Sequence, residues 1–164
     1  MSRPFEAAVA GLGGGLCIAS LSVLGDTLAV PLLLAPFGAS CVLVFGVPGS
    51  PFAHPRNVIG GYLVSAAMGL VAVALLGGGA VGLAAGVGAA IAAMMLTHTI
   101  HPPAGAVPII VGVTHPSLWF LLAPVGAGAV LIVLIGILYR RLSALPAFHR
   151  IRRSVFPDRS GAPR

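Results

Sequence analysis

The sequence has very little charge. Charged residues make up 7% of its 164 residues, whereas an ordinary soluble domain contains roughly 25%. Between Arg3 and Arg140 the only residues with a formal charge are Glu6, Asp26 and Arg56. So few charges cannot solvate a globular surface, and the mean hydropathy is +1.08. These absences exclude a soluble protein, and we expect an integral membrane protein in the lipid bilayer.

Lysine is absent, and the positive charge is confined to one end of the chain. All nine basic residues are arginines, and seven of them lie from Arg140 to the C-terminus. The net charge of +6 is therefore a property of the tail. Because this tail lacks interleaved aromatic residues and a folded scaffold, it does not indicate nucleic-acid binding.

Cysteine and acidic residues are also scarce. Cys17 and Cys41 both fall within apolar runs, where they are typical of packing rather than of a disulfide framework. Only three acidic residues are present, too few for a catalytic pair, and no nucleophile, base and orienting group occur together. The sequence predicts neither an enzyme nor a bound cofactor.

Apolar segments follow one another along most of the chain. The first, at 7–24, spans about 27 Å as a helix, close to the hydrocarbon thickness of a bilayer. Glycines at 77–79 join two further helices into a hairpin. Prolines shorten two other segments, at 28–47 and near 103, to half-helices. The predicted segments are 7–24, 28–47, 58–76, 80–96, 104–113 and 118–139.

The two proline-interrupted segments resemble each other. "PFGASCVLVFGV" begins at Pro36 and "PAGAVPIIVGV" at Pro103, so both contain P-x-G-A and end in Gly-Val. This spacing predicts an all-α membrane protein, a helical bundle with two internal repeats at roughly 7–76 and 80–139. Each repeat would contain two full helices and one short broken P-x-G-A segment. Together they form a single transmembrane domain, 1–142, followed by a basic cytoplasmic tail, 143–164.

Arginine placement predicts the topology. By the positive-inside rule the tail and the N-terminus are cytoplasmic, in the plasma (inner) membrane, so the number of crossings is even. Four full helices with two re-entrant loops satisfy this condition, as do six crossings. Arg56 would face the cytoplasm only with six crossings, which is the arrangement we favour, and the two repeats would then be inverted.

The proline-interrupted segments predict an anion site. Non-helical backbone at membrane depth leaves polar groups unsatisfied unless they are buried in protein or line a wet cavity. Pro36 and Pro103 suit the first helical position, after which unpaired amides and the helix dipole would attract an anion. Gly38 and Gly105 would let the backbone approach a ligand, and Ser40 would add a hydroxyl group.

Few polar residues lie near these breaks. Arg56 is either a loop arginine at the membrane interface or a pathway residue. His98 and His101 are three apart on one helical face, a spacing that can hold a metal, but no carboxylate lies nearby and Cys41 is the only thiol candidate, so we predict no metal site. They are either hydrogen-bonded structural residues or groups that couple protons to transport.

The blocks "PFGAS", "PRNVIGG" and "HPPAG" occur in an order that resembles the HPP family of small membrane proteins. That family takes its name from the motif formed here by His101, Pro102 and Pro103, and the resemblance covers about 16–138. Its members are described as four-helix proteins, and some have been linked to nitrite transport. Where the family often has arginine, in "LTRTLHPPAG", this chain has His98.

The resemblance and the half-helix amides together predict a permease for a small monovalent anion, with nitrite as the first candidate, bound at the half-helix N-termini near the bilayer midplane. The alternative is a non-transporting membrane sensor or assembly subunit. We expect a homo-oligomer, a dimer or larger, packed through glycine-rich helix faces. The residues predicted to bind the anion or line its pathway are Pro36, Phe37, Gly38, Ala39, Ser40, Arg56, Asn57, Thr97, His98, His101, Pro102, Pro103, Ala104 and Gly105.

Overall fold

A computed structural model describes residues 3–145, and these contain helices but no β-strand. The all-helical prediction is therefore confirmed. Four of the helices are preceded or followed by short 3-10 or π-helical turns. The α-helices are α1 (Arg3–Leu28), α2 (Ala35–Cys41), α3 (Pro55–Leu76), α4 (Ala80–Leu96), α5 (Val107–Thr114) and α6 (Ala127–Ser143).

Three helical stretches are long and apolar enough to cross a membrane: Pro4–Leu28, Pro55–Leu76 and Leu118–Ser143. The other apolar helices are shorter, at Ala35–Gly46, Ala80–Leu96 and Pro102–Thr114. The two P-x-G-A segments are among these short helices, as predicted. Most of the tail predicted at 143–164 lies outside the described residues.

Helices α3 and α4 form the predicted hairpin. Gly77 adopts a φ of +76°, a left-handed conformation that favours glycine, and it ends α3. The helices then pack closely, because a Cβ added at Gly86 would lie 3.4 Å from the Cβ of Ala72. The start of α3 and the end of α4 therefore lie at the same end of the bundle, which we call the Arg56 end. The opposite end, at the glycine turn, we call the Gly78 end.

The segment after α4 runs along α3 from the Arg56 end to the Gly78 end. A Cβ added at Gly61 would lie 2.7 Å from the Cβ of His101, and one added at Gly69 would lie 2.8 Å from the Cα of Pro108. Gly78 lies against the ring of His115. Small residues on one face of α3 thus let the irregular backbone approach closely, as they do between membrane helices.

The first proline-interrupted segment runs in the opposite direction. It leaves the Gly78 end, where Val30 and Pro31 share a cleft with Pro116 and Trp119. Its helix α2 begins near the level of Tyr62, which stacks edge-on against Phe37 with ring centroids 5.0 Å apart. The chain then continues through the π-helical turn Val42–Gly46 to the loop that precedes α3.

The six segments therefore alternate in direction between the two ends of the bundle. Helices α1 and α6 are antiparallel, since Gly13 of α1 lies beside Tyr139 near the end of α6, whereas Gly25 near the end of α1 and Gly128 near the start of α6 both lie against Leu32. The start of α1 and the end of α6 consequently lie at the Arg56 end. In the described part of the chain, no segment turns back to the end from which it came.

The last segment is not the single helix predicted for 118–139. It consists of a 3-10 turn (Leu118–Leu121), a π-helical stretch (Leu122–Gly126) and then α6. Ala123 is extended, with φ −141° and ψ 127°. The reason is Pro124, which lacks an N–H and disfavours the helical conformation of the residue before it.

Candidate functional site

The predicted site residues fall into two groups that the fold places at different depths. A buried group surrounds His101 and includes Ser40, Phe37 and Ala104. A second group is more exposed and lies at the Arg56 end, where α3 begins and α4 ends; it contains Arg56, Asn57, Thr97 and His98.

A chain of hydrogen bonds runs through the buried group. His101 Nδ1 lies 2.8 Å from the carbonyl oxygen of Phe52, and its Nε2 lies 2.7 Å from Ser40 Oγ. Ser40 Oγ in turn lies 2.7 Å from the hydroxyl of Tyr62. His101, Ser40 and Tyr62 are each 0% exposed. These hydrogen bonds connect α2, α3, the loop before α3 and the segment after α4.

The carbonyl at one end of this chain fixes the direction of the others. A carbonyl only accepts, so His101 Nδ1 carries the proton and donates to Phe52 O. With one proton on the ring, Nε2 accepts from the Ser40 hydroxyl, and the Ser40 oxygen in turn accepts from Tyr62. Both ring nitrogens of His101 therefore have a hydrogen-bond partner, as the structural alternative for this residue requires.

Tyr62 was absent from the predicted site. It packs edge-on against Phe37, and its ring centroid lies 5.2 Å from that of His101. A sequence signal for it did exist. Tyrosine in membrane proteins prefers the interface between membrane and water, whereas Tyr62 is the eighth residue of α3, which begins at Pro55. A tyrosine hydroxyl inside a spanning helix needs a buried partner, and Ser40 supplies it.

Other polar side chains make hydrogen bonds to or within the irregular segment. Ser65 Oγ donates to the carbonyl of Ala104 at 2.6 Å. The hydroxyls of Thr97 and Thr99 lie 2.7 Å apart, and Thr97 Oγ1 also donates to the carbonyl of Ala93. Ser65 therefore belongs with the site, although sequence reasoning did not select it.

The first amide after each P-x-G-A proline is paired rather than free. Phe37 N donates to the carbonyl of Leu34 at 2.9 Å, and Ala104 N donates to the carbonyl of His101 at 2.9 Å. Pro102 and Pro103 have no N–H to offer. The expectation of a free donor was wrong for these two amides, because each is used by a tight turn at the start of its helix. Pro36 and Pro103 also take the second helical position rather than the first.

The glycines of the two P-x-G-A motifs border open space. A Cβ added at Gly38 or at Gly105 would have nothing within 4 Å. Gly38 lies in an apolar groove between α1 and α2. Neither glycine is required for close packing in this structure, in contrast to Gly61 and Gly69.

Arg56 lies at the mouth of the irregular segment. Its Nη2 donates to the carbonyl of Thr97 at 2.9 Å, just after the end of α4. The imidazole of His54 caps α3 by accepting from Arg56 N at 3.3 Å, and Asn57 Nδ2 donates to the carbonyl of Pro51 at 3.0 Å. The Arg56 side chain is exposed, so the guanidinium, which has five N–H donors, is open to a ligand at this end.

His98 and His101 do not share a helical face. His98 is left-handed, with a φ of 54°, and lies immediately beyond α4. Its amide donates to Met95 O and that of Thr99 donates to Met94 O, the pair of bonds that defines a Schellman motif. His98 is exposed while His101 is buried. The helical spacing on which a shared metal site would depend is therefore not formed.

Comparison with known proteins identifies the family. The family described as "HPP, transmembrane region" matches residues 1–148. The chain belongs to this family. It is also 37% identical over 127 residues to a protein of Dictyostelium discoideum named as a transmembrane protein, covering 71% of this chain and 41% of the relative. A second transmembrane protein of that organism is 38% identical over 111 residues, covering 63% and 39%.

The chain thus spans about two fifths of the length of these HPP-domain relatives. No solved structure gives a significant match. The family match confirms the resemblance seen in the sequence, and with it the membrane location.

Ser40 is the residue on which the buried series of hydrogen bonds depends, because its hydroxyl contacts both His101 and Tyr62. Replacing it with alanine leaves both His101 Nε2 and the Tyr62 hydroxyl without the partner described above. Each buried group left unsatisfied costs about 1–3 kcal/mol. We therefore expect Ser40→Ala to lower the free energy of unfolding of the detergent-solubilised protein by about 2–6 kcal/mol. Thermal and denaturant unfolding would measure this.

The matched control is Ser20→Ala. Ser20 is exposed, and its hydroxyl donates to the carbonyl of Leu16 in its own helix, so its loss should change stability by less than about 0.5 kcal/mol. Tyr62→Phe leaves fewer buried polar groups without a partner and should lower the free energy of unfolding by less than Ser40→Ala. Equal stabilities for Ser40→Ala and Ser20→Ala would contradict the proposed role of the buried hydrogen bonds around Ser40.

Proposed function

We propose that this HPP protein is a permease for a small monovalent anion, with nitrite as the first candidate, rather than an enzyme. The observation that carries the proposal is the position of Arg56. It is the only formal positive charge between Arg3 and Arg140, and it is exposed at the mouth of the irregular segment. Both acidic residues of the described part, Glu6 and Asp26, belong to α1.

The charge balance at this mouth favours anions. Asp26 borders a cleft with Val30 and Leu33, toward the Gly78 end of the bundle. Glu6 begins α1 at the Arg56 end, but the hydrogen bonds of Arg56 go to the carbonyl of Thr97 and the imidazole of His54 and not to a carboxylate. A guanidinium beside a low-dielectric wall, with the arginines that end α6 at the same end, raises the local concentration of anions. The proposed path continues past Thr97 and His98 toward Gly105.

The opposite directions of α2 and α5 support a transporter architecture. Both helices begin near mid-height on α3, since Phe37 contacts Tyr62 and the carbonyl of Ala104 accepts from Ser65. Broken helices that meet near the midplane from opposite sides characterise inverted-repeat transporters. We propose that 7–76 and 80–139 are such repeats.

Anion flux into proteoliposomes tests the function. We expect saturable nitrite uptake by the purified protein, reduced roughly tenfold or more in Arg56→Ala because the local anion concentration falls. Arg56→Lys should retain part of the flux, since it keeps the charge. Gly105→Leu should block it by filling the open space at that position.

The control for lost charge is Arg140→Ala, which removes an arginine from the last turn of α6 at the same end but away from the irregular segment. Its flux should remain close to that of the parent. If the parent carries no nitrite, nitrate, formate, bicarbonate or chloride at either pH 6 or pH 8, the permease proposal fails. The sensor or assembly role would then be favoured.

We further propose that the protein lies in the plasma (inner) membrane and that its Arg56 end faces the cytoplasm. Arg140 and Arg141 lie in the last turn of α6 at that end, as the positive-inside rule prefers. A single cysteine replacing Arg56 in a Cys17→Ser, Cys41→Ser background should react with an impermeant maleimide only from the cytoplasmic side. Reaction only from outside would overturn this orientation.

The proposed oligomer uses the groove between α1 and α2. Only 11% of the most apolar 18-residue stretch of α1 is buried inside the protein, compared with 39% of the corresponding stretch of α3. The groove is lined by Gly11, Gly15, Gly38 and Gly46, and a Cβ added at any of these would meet nothing within 4 Å. Exposed small residues on adjacent membrane helices allow a second copy to pack closely.

Cross-linking in native membranes tests this interface. In the cysteine-free background, Gly15→Cys should give a disulfide-linked dimer on mild oxidation, because two copies would bring these positions together. Leu75→Cys is the control, since Leu75 is 77% exposed but lies on α3. Dimers from Leu75→Cys and none from Gly15→Cys would place the interface elsewhere.

A further inference from the structure

Contacts between the two halves of the chain occur in reciprocal pairs. The two P-x-G-A motifs begin 67 positions apart. A Cβ added at Gly61, in the first half, would lie 2.8 Å from the carbonyl oxygen of Thr99, in the second. The residues shifted by 67 positions in opposite directions, Gly128 and Leu32, make the equivalent contact at 3.1 Å. At these positions the first half meets the second half as the second meets the first.

A second pair of contacts follows the same rule. A Cβ added at Gly69 would lie 3.4 Å from the Cβ of Val111, and one added at Gly136 would lie 3.9 Å from the Cβ of Val44. Gly136 follows Gly69 by 67 positions, and Val44 precedes Val111 by 67. Reciprocal contacts of this kind are typical of two copies related by a two-fold axis. Because the segments alternate in direction, such an axis would lie in the membrane plane and exchange the two ends of the bundle.

The turns that lead into α3 and into the last segment are also equivalent. Each begins at a serine, Ser50 or Ser117, whose carbonyl accepts from the amide three residues later at 3.0 Å. Each continues as a 3-10 turn that contains an exposed aromatic residue, Phe52 or Trp119. These residues are again 67 positions apart. The last segment therefore starts at the Gly78 end with the same turn that leads into α3 at the Arg56 end.

A cleft at the Gly78 end occupies the position equivalent to the opening beside Arg56, which we call the Arg56 mouth. It is lined by Ala123, 67 positions after Arg56, and by Val30 and Pro31, which come just after α1 as Thr97 comes just after α4. The Arg56 side chain reaches the carbonyl of Thr97, whereas Ala123 is too short for such a bridge. The volume of the cleft is about 290 Å³, enough for several water molecules at about 30 Å³ each.

We propose that this cleft is the second mouth of the anion path, equivalent to the Arg56 mouth through the internal two-fold axis. The assignment rests on the proposed function and adds the other end of its path. The ligand at this mouth is a small monovalent anion with its water. Two lining residues, Ser117 and Trp119, have side chains that can donate a hydrogen bond.

The two mouths differ in charge. Within the described part of the chain, no charged residue lines the second mouth. Asp26 borders the adjoining cleft, and His115 has its ring against Gly78 instead. An anion is therefore held more weakly here than beside the guanidinium of Arg56. Because a permease does not change the equilibrium of its substrate, this difference would affect the apparent affinity on each side of the membrane.

Charge placed at Ala123 tests the second mouth. Ala123→Cys in the Cys17→Ser, Cys41→Ser background is reconstituted and treated on both faces with one of two thiosulfonates. One attaches a negative sulfonatoethyl group and the other a positive trimethylammonioethyl group of similar size. Relative to the same variant untreated, we expect the negative group to reduce nitrite uptake roughly tenfold or more and the positive group to reduce it far less, because the anion must pass the attached charge.

Two further cysteine variants accompany this one. Ser117→Cys places the thiol on another exposed residue of the same cleft and should give the same result, including where Ala123→Cys fails to fold. Gly79→Cys is the control. Gly79 lies in the turn at the same end, and a Cβ added there would meet nothing within 4 Å, so both reagents should react and leave uptake unchanged.

Mass spectrometry of the reconstituted protein measures the extent of modification. Unchanged uptake after full modification of Ala123→Cys and Ser117→Cys would overturn the second mouth and leave the permease proposal intact. Equal inhibition by the two groups, or failure of both cysteines to react, would do the same. Absence of nitrite uptake by the untreated cysteine-free parent would instead overturn the permease proposal, and the second mouth with it.

Discussion

The structure depends on how the backbone of the segment between α4 and α5 is satisfied at membrane depth. Water is not available there, and each unsatisfied polar group costs several kilocalories per mole. The segment meets this constraint with its own turn, in which Ala104 N donates to His101 O, and with Ser65 of α3, which donates to Ala104 O. The irregular backbone can then persist beside a spanning helix.

Close approach to α3 is the second condition, and it explains the composition of that helix. Gly61 and Gly69 face the segment at distances where any Cβ would collide with it, while Ser65 between them is small and supplies the donor. These positions are four residues apart, so they share one helix face. The same face could not be built from large apolar residues without moving the segment and breaking its hydrogen bonds.

The sequence was sufficient for the helices, the α3–α4 hairpin and the two short P-x-G-A segments, because length, hydropathy and proline position determine these locally. It did not predict the kink at Ala123, although Pro124 was visible, because the surrounding run is uniformly apolar. The pairing of Ser40 with His101 and Tyr62 could not be deduced, since it depends on which segments become neighbours. The first amides after Pro36 and Pro103 are not free as expected, because that local reasoning ignored the turn at each helix start.

The two polar groups of the site differ in how readily they can move. Breaking the chain through His101 would leave several buried groups unsatisfied at once, whereas the bond from Arg56 to Thr97 is exposed and water can replace it. Charged hydrogen bonds at exposed positions contribute little net stability for this reason. If the proposed anion enters at Arg56, the exposed bond to Thr97 is the one that can open first, while His101, Ser40 and Tyr62 hold the two proline-interrupted segments together. The residues that stabilise the fold and those proposed to bind the anion are thus separate in depth, and only the proposed anion-binding residues can rearrange without exposing buried polar groups.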